Sequence, residues 1–442
     1  MSRMHRISRR SFIMIMVTGI VSVLGILSAF PYMRKKPKIT IKEDTARIFL
    51  AKNGTPQQNI SKIIEMIGGI ETIIGKKDIV VLKPNAQWWN QGMTNLAAIK
   101  GFIDLVLGIP GFEGEIIIAE NHHFMDDSLP DGEKDNIRGW VYENEINGDI
   151  DGVNYILNGL VEFYNKNGHP NVTKYHLRDG GPNKNPRWHN AHDGGIVSGP
   201  AEGDGYVWTD IEYVYRPLHT WWVKKWVVKM TYPIFTSSYS NITIDLKNGA
   251  FQRDSKGGGS YLKDRSVKLI NFSVLNDHPD TGVTASVKNL MGIVDLSCGE
   301  PDLKGYYDIH DCGKINLHNG RGIFFYRYAK AGPLGHFMKT IRKADLNIIT
   351  AEWVGYEDRT DPKKASNTKT ILAGTDPIAL DYYACKHIML PLGGKNADEH
   401  DPDSSSSSIR KFLLLAQESA GEFTMDENKI KISSYDYLKN NQ

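Results

Sequence analysis

The alternation of short apolar runs with a helical repeat between residues 78 and 119 constrains the fold more than any other feature of the chain. Residues 78–83 form a β-branched run that Pro84 stops. Residues 95–107 carry apolar side chains at helical spacing, and residues 115–119 are a continuous apolar run, typical of a strand buried on both faces. Strand, helix and strand make a βαβ unit. We therefore predict an α/β fold with a mostly parallel sheet and flanking helices.

The same patterns extend along the rest of the chain. Further helices are predicted near residues 60–67, 152–164 and 377–389, with a last one through Phe412 and Leu415, and further strands at residues 172–177, 267–274, 345–350 and 368–373. Residues 178–262 are rich in Gly, Asn, Asp and aromatic residues, which predicts a folded insertion or lid. The expected organisation is an N-terminal segment (1–38), a first core part (39–177), the insertion (178–262) and a second core part (263–442).

Composition excludes several classes of protein. Hydrophobic residues make up 40% of the chain and charged residues 24%, which excludes wholesale disorder and a multi-span membrane protein. Three widely spaced cysteines, Cys298, Cys312 and Cys385, exclude a disulfide framework. A pairing of Cys298 with Cys312 after export stays open. Because the chain has no Cys-x-x-Cys, we do not expect an iron–sulfur cluster.

The net charge of +2 is the sum of two unlike parts. Residues 1–38 carry eight basic residues and no acidic one. The remainder has 45 basic and 51 acidic residues, a net charge of −6. A mildly acidic body lacks the basic face that nucleic acid requires, so we expect no nucleic-acid partner.

The N-terminal segment has the features of an export signal. Residues 12–30 form an uncharged run of nearly the length that crosses a bilayer as a helix. Arg9, Arg10 and Phe12 precede or begin it in a pattern that resembles the twin-arginine signal. We expect the body to be exported across, or anchored in, the bacterial cytoplasmic membrane on its periplasmic or extracytoplasmic face, with the twin-arginine translocation machinery as a partner. A plain single-span anchor is the alternative, and cleavage and orientation stay open.

Polar side chains follow four of the predicted strands. Lys83 and Asn85 end the first strand, and Glu120, Asn121 and His122 end the second; Asn276, Asp277 and His278 end a third, and Asp376 follows a fourth. Ligands of parallel sheets bind beyond the carboxyl ends of the strands. Carboxylates and imidazoles that converge there could bind a divalent metal or perform acid–base chemistry. The alternative is that these are ordinary turn residues, with Asp376 a helix cap.

Residues 282–292 are the most distinctive stretch. Lys288 and Asn289 stand side by side, preceded by the hydroxyls of Thr284 and Ser286 and followed by Gly292. Such a set would suit an oxyanion or phosphate cradle. Lys288 could instead act as a base if it is desolvated. A loop that enters a helix is the other interpretation.

Residues 81–85, 120–121, 284–292 and 371–381 together resemble a bacterial and archaeal family, catalogued as domain of unknown function 362. Their order and spacing match over roughly residues 78–390. The resemblance implies an α/β domain, often accompanied by ferredoxin-like clusters, without a settled activity. It also implies a shared site that comprises Lys83, Asn85, Glu120, His278, Lys288, Asn289 and Asp376. The chain departs from the family in lacking ferredoxin-type cysteines, and in having Asn276 and Asp277 where a lysine often precedes the histidine.

Taken together, the residues favour a metal-assisted enzyme that acts on a small anionic substrate. The expected catalytic residues are Glu120, His278, Lys288 and Asp376. The expected substrate-binding residues are Lys83, Asn85, Asn121, Thr284, Ser286 and Asn289. The expected ligands of a divalent metal are His122, His278 and Asp376. The sequence leaves open two alternatives. One is an extracytoplasmic solute-binding protein without turnover, with tryptophans as a stacking platform. The other is a redox accessory protein without its own cluster, which docks with a cluster-bearing partner.

Overall fold

A computed structural model describes residues 45–122, 138–178, 197–208, 213–215, 226–279, 281–299, 314–316, 322–324 and 331–440. All of them belong to one compact unit, Ile41–Gln442. The predicted export signal and Cys312 lie outside the described residues, as do the side chains of Asn121, His122 and Cys298. Among the described helices, none has both the length and the apolar character needed to cross a membrane.

The described strands follow one another along the chain. They are β1 (Ala46–Lys52), β2 (Ile79–Pro84), β3 (Glu115–His122), β4 (Asp149–Ile150), β5 (Val153–Asn154), β6 (Val172–Arg178), β7 (Gly205–Trp208), β8 (Tyr213–Tyr215), β9 (Trp226–Thr236), β10 (Thr243–Asp245), β11 (Gly249–Arg253), β12 (Gly259–Tyr261), β13 (Val267–His278), β14 (Gly282–Thr284), β15 (Asp295–Gly299), β16 (Lys314–Asn316), β17 (Gly322–Phe324), β18 (Leu346–Gly355), β19 (Ala365–Gly374) and β20 (Ile430–Asp436).

Helices connect these strands. They are α1 (Pro56–Ile67), α2 (Leu96–Leu107), α3 (Leu157–Lys166), α4 (Ser286–Asn289), α5 (Ala331–Thr340), α6 (Pro377–Ala384), α7 (Leu390–Leu392), α8 (Ala397–His400), α9 (Ser408–Ala420) and α10 (Tyr437–Asn440). Short 3₁₀ turns at Asn90–Gly92 and Leu290–Gly292 matter for the site described below.

The main sheet confirms the predicted α/β fold. Within the described residues its strand order is β20-β1-β19-β18-β13-β2-β3-β6, with β14 paired to β13. The pairs β18–β13, β13–β2, β2–β3 and β3–β6 are parallel, whereas β19 runs antiparallel to both of its neighbours. The carboxyl ends of β18, β13, β2 and β3 therefore meet at one edge of the sheet. We call this edge the carboxyl rim.

The sheet is buried on both faces, as its apolar strands predict. Val80 and Leu82 of β2 belong to a core that also contains α1, α2 and α3. Ile79 and Val81 of the same strand point the other way, into a core shared with α4, α5, α6 and α9. Alternate residues of a strand face opposite sides, so one apolar run supplies both cores.

Local capping explains where the helices on the first face begin. Thr55 accepts a hydrogen bond from Gln58 N, and the Gln58 side chain accepts one from Thr55 N, which completes a capping box before α1. Asn95 accepts from Ala98 N at 2.9 Å and so caps α2. Both caps lie at the carboxyl rim, because each helix follows a strand that ends there.

A second sheet forms between residues 205 and 299. Its described strands are antiparallel and run β12-β11-β10-β9-β15, with β7 and β8 also paired to β9. Tyr206, Ile234 and Phe235 from this sheet join the core that contains α5 and α6. Most of this sheet lies in the predicted insertion, but β15 does not. The proposed domain boundaries stay a prediction.

Three details differ from the sequence-based expectations. Asp151 and Gly152, both with positive φ, form the two-residue turn of the β4–β5 hairpin, so α3 begins at Leu157 and not near residue 152. A π-helical turn, Cys385–Met389, ends the helix predicted for residues 377–389. β1 and β20 were not predicted, and they pair with each other in parallel at the edge of the main sheet.

Candidate functional site

A row of polar side chains crosses the main sheet at the level of Lys83, close to the carboxyl end of β2. Asn271 of β13 is aligned with Lys83 of β2 on one side and with Asn347 of β18 on the other. Asn271 Nδ2 donates a hydrogen bond to Asn347 Oδ1 at 2.9 Å. All three side chains are buried on the face that carries α4, α5 and α6. A fully buried polar row is stable only if its hydrogen bonds are made.

Lys83 forms a buried ion pair. Its Nζ donates to Glu120 Oε2 at 2.6 Å, to Asn289 Oδ1 at 3.0 Å and to the Pro84 carbonyl at 2.8 Å. These contacts use the three protons of a lysine ammonium group. Burial lowers the pKa of Lys83, and the charge of Glu120 opposes that shift. The geometry holds Lys83 as an ammonium against the Glu120 carboxylate.

Asn289 joins α4 to this row. Its Nδ2 donates to Asn271 Oδ1 at 2.8 Å and to the Lys83 carbonyl at 3.1 Å. Asn271 Nδ2 in turn donates to the Ser286 carbonyl at 2.8 Å. The turn that follows α4 lies directly over the ion pair: a methyl group on Gly292 would lie 2.3 Å from Glu120 Oε1 and 2.6 Å from Lys83 Nζ. Glycine is required there because the backbone itself covers the charges.

Asp381 holds the start of α4. Its Oδ1 accepts from Ser286 N at 2.7 Å, and its Oδ2 accepts from Val287 N at 2.9 Å. The N–H groups of a first helical turn have no partner within the helix, and a carboxylate satisfies them. Burial raises the pKa of Asp381 to about 7, although both N–H groups oppose the shift.

Asp376 is the N-cap of α6. Its Oδ1 accepts from Ala379 N at 2.9 Å, and its Oδ2 accepts from Thr424 N at 2.9 Å. Burial raises the pKa of Asp376 to about 6. Each carboxylate oxygen therefore has a backbone donor, the arrangement that the helix-cap interpretation describes.

The end of β13 carries a second buried pair. His400 Nε2 lies 2.7 Å from Asp277 Oδ1, and Asn396 Nδ2 donates to both oxygens of Asp277 at 3.1 and 3.0 Å. His400 is completely buried, and its Nδ1 has no hydrogen-bond partner among the described residues. The neighbouring His278 is also buried, at the β13–β14 turn.

Hydrogen bonds from amide side chains to backbone carbonyls hold the loops of the carboxyl rim together. Gln91 Nε2 donates to the carbonyls of Asp358 and Asp361 at 3.0 and 2.7 Å. Asn90 Nδ2 donates to the Thr360 carbonyl at 2.8 Å, and Asn147 Nδ2 donates to the Asn90 carbonyl at 3.0 Å. The segment around residues 90–92 is thereby fixed against two other loops.

Four buried oxygen atoms at or near this rim have no hydrogen-bond partner among the described residues. They are Asn85 Oδ1, Gln91 Oε1, Asn276 Oδ1 and Glu352 Oε2. Burial raises the pKa of Glu352 to about 7, and the charge of Lys369 opposes this. Buried polar atoms are normally paired, so a group of unpaired acceptors indicates a missing donor or cation.

The structure brings some of the predicted site residues together. Lys83, Glu120 and Asn289 are in direct contact, and the Ser286 backbone joins them through Asn271. Thr284 is aligned with Asn276 in the β13–β14 pair, and Lys288 is buried within α4. The catalytic and binding roles of these residues stay predictions.

The predicted metal ligands do not form a complete site in the part of the chain that is described. Both carboxylate oxygens of Asp376 accept hydrogen bonds from backbone N–H groups. The side chain of His122 lies outside the described residues. Across the described ranges, no group of three or more His, Cys, Asp or Glu residues could hold a metal ion. A metal at His122, His278 and Asp376 stays a prediction.

Sequence reasoning missed several residues of this region. Asn271 and Asn347 could have been found, because each is a polar residue inside an otherwise apolar strand. Asp381 stands within the block 371–381 that carries the resemblance, but nothing local shows that it reaches α4. Glu352 is likewise a polar residue within the largely apolar β18, whereas Gln91 and His400 give no signal in their immediate sequence.

Comparison with known proteins supports the family resemblance. A sequence model of the family described as Domain of unknown function (DUF362) matches residues 264–386. This stretch contains β13, α4, β18, β19 and α6, and thus Asn271, Asn289 and Asp381, whereas Lys83 and Glu120 precede it. No curated protein and no solved structure matches the chain.

We predict that Gly292→Ala lowers the free energy of unfolding by about 3 kcal/mol, because the new methyl group must displace the Lys83–Glu120 pair. Urea-induced unfolding followed by circular dichroism measures the change. Gly199→Ala is the control, since its added methyl group would have no described atom within 4 Å apart from those of its chain neighbours. An unchanged stability in Gly292→Ala would show that the pair is not covered tightly.

A second prediction concerns pH. Because the pKa of Asp381 is raised to about 7 in the folded protein, the folded state keeps a proton that the unfolded chain releases near pH 4. The free energy of unfolding should therefore fall between about pH 4 and pH 7, by up to about 4 kcal/mol from this group. Asp381→Asn should reduce that fall.

Unfolding midpoints in urea at pH 5 and pH 8 test this dependence. Asp264→Asn, at an exposed position, is the control and should leave the pH dependence as in the original protein. An equal fall in Asp381→Asn and in the original protein would contradict the role of Asp381.

Proposed function

We propose that the protein is an enzyme that acts, with the help of a divalent metal, on a small anionic substrate at the carboxyl rim. The observation that carries the proposal is the set of buried acceptor oxygens at or near this rim that have no donor within the described part of the chain, on Asn85, Gln91, Asn276 and Glu352. Acceptors in a purely structural core would be paired. A bound cation, or a substrate with donors, would pair them here.

The rigidity of the rim supports a site rather than a loose surface. Residues 85–95, 138–147 and 355–361 are held to one another by amide side chains that bond to backbone carbonyls. Groups held in this way keep their positions before a ligand arrives, which reduces the entropy lost on binding. The position beyond the ends of parallel strands is also the usual ligand site of such sheets.

The charges near the rim suit an anion beside a metal. Lys288 is a buried lysine in α4, and Lys83 lies beneath the same turn. Lys83 Nζ donates its three hydrogen bonds to groups within the fold. The proposal therefore assigns Lys83 to positioning Asn289 and α4. We assign contact with the anion to Lys288, whose existing interaction within the fold the anion would have to replace.

Inorganic phosphate is the probe for this assignment. Phosphate should raise the melting temperature of the full chain in a concentration-dependent way. Lys288→Met removes the charge but keeps most of the buried volume, and it should weaken phosphate binding ten-fold or more, in keeping with the ~1.5–3 kcal/mol of a charge-assisted hydrogen bond. Lys288→Arg should retain much of the binding.

Lys174→Met is the matched control, because Lys174 is a half-buried lysine on β6 that contacts Asn158. Circular dichroism at each step shows whether the variants are folded. If folded Lys288→Met binds phosphate as well as the original protein, the anion site is elsewhere. Tight binding of many anions without any turnover would favour the solute-binding alternative.

We further propose that residues 1–38 direct export by the twin-arginine route, on the sequence pattern of Arg9, Arg10 and the uncharged run that follows. The prediction is that the double change Arg9→Lys and Arg10→Lys leaves the full chain on the cytoplasmic side of a twin-arginine-competent bacterium. Protease accessibility in spheroplasts measures this. Arg3→Lys with Arg6→Lys is the control of equal charge. Normal export of the Arg9/Arg10 variant would contradict the twin-arginine route.

A further inference from the structure

We propose that Gln91, Asn276 and Glu352 hold a hard divalent cation of the Mg²⁺ or Ca²⁺ type at the carboxyl ends of β13 and β18. This inference deepens the proposed function, because it names ligands for the metal that differ from the three predicted from sequence. The phosphate experiment on Lys288 does not depend on it.

Gln91 and Asn276 pack against the same glycine, Gly355, and Glu352 belongs to the strand that carries this glycine. Asn276 is aligned with Gly355 across the β13–β18 pair, and Glu352 stands three residues before Gly355 on β18. The turn Asn90–Gly92 contacts both strands. A methyl group on Gly355 would lie 2.7 Å from Gln91 Cγ and 3.5 Å from Asn276 Cβ, so these two side chains pack against the same glycine.

The two hydrogen bonds that Gln91 Nε2 donates determine the orientation of the Gln91 amide. Its Nε2 donates to two carbonyls, of Asp358 and Asp361, and an oxygen in that position would face two other oxygens. The amide therefore cannot be turned round, and Oε1 points away from those carbonyls. Gln91 is completely buried, and Oε1 has no donor among the described residues.

Glu352 supplies the negative charge. The residue is 6% exposed, and its Oε2 has no hydrogen-bond partner in the described part of the chain. A buried carboxylate without a partner costs several kcal/mol. The charge of Lys369 offsets part of that cost. A bound cation would remove the rest, whereas a buried water molecule would only satisfy the hydrogen bonds.

The chemistry of the three atoms selects the kind of cation. All are oxygens, two from neutral amides and one from a carboxylate, and none is a sulfur or an imidazole nitrogen. Hard cations such as Mg²⁺ and Ca²⁺ prefer oxygen ligands and fill their remaining positions with water or with substrate oxygens. An anionic substrate could complete the coordination, in keeping with the proposed function.

Terbium luminescence tests the site directly. Tb³⁺ takes the place of Ca²⁺ at oxygen sites, and Trp353, next to Glu352 in the chain, can sensitise its emission. Full-length protein freed of metal with a chelator should bind about one Tb³⁺, which excess Ca²⁺ or Mg²⁺ displaces. Glu352→Gln should weaken the binding at least ten-fold. Asn276→Asp adds a second carboxylate and should tighten it.

Glu115→Gln is the matched control, since Glu115 is a buried glutamate at the amino end of β3 with its own serine donors. It should bind Tb³⁺ as the original protein does. Absence of sensitised binding by the folded original protein, or equal affinity in Glu352→Gln, would overturn the inference. If phosphate binding at Lys288 persists in that case, the anion site stands without this metal site.

Discussion

The buried ion pair between Lys83 and Glu120 is the interaction on which the surrounding structure depends. Two charges removed from water are tolerated only when their remaining hydrogen bonds are made. Asn289 and the Pro84 carbonyl meet that need for Lys83. Gly292 lets the backbone close over the pair. The turn from Ser286 to Gly292 is therefore fixed to the sheet through polar contacts rather than through apolar packing alone.

Two of the four sequence blocks that carry the family resemblance, residues 284–292 and then 371–381, are also in contact in the fold. Asp381, from the second block, accepts the first two N–H groups of α4, from the first block. Asp376 caps its own helix and reaches Thr424 N as well. Both aspartates of the block 371–381 thus serve to hold α4 and α6 in position. The acceptors that have no partner among the described residues lie elsewhere, on Asn85, Gln91, Asn276 and Glu352.

Much of the fold was predictable because burial leaves a local pattern. The strands β2, β3, β13 and β18 are apolar runs buried on both faces, and α2 shows a helical repeat with its cap. The edge strand β20 could not be found in this way, because most of its side chains are exposed and its partner β1 is distant in the chain. Asp151 and Gly152 are a local sign of a turn. It was overlooked because the apolar spacing of the residues that follow predicted a helix from residue 152.

By itself, the sequence determined the α/β class, the position of the central strands and the polar character of their carboxyl ends, since these follow from the spacing of apolar residues and from the residues that stop each run. Only the tertiary structure decided which polar residues meet. Lys83 and Asn289 are separated by 206 positions, and Asp277 and His400 by 123. Such contacts depend on how strands and helices pack, and periodicity within one segment carries no information about that packing.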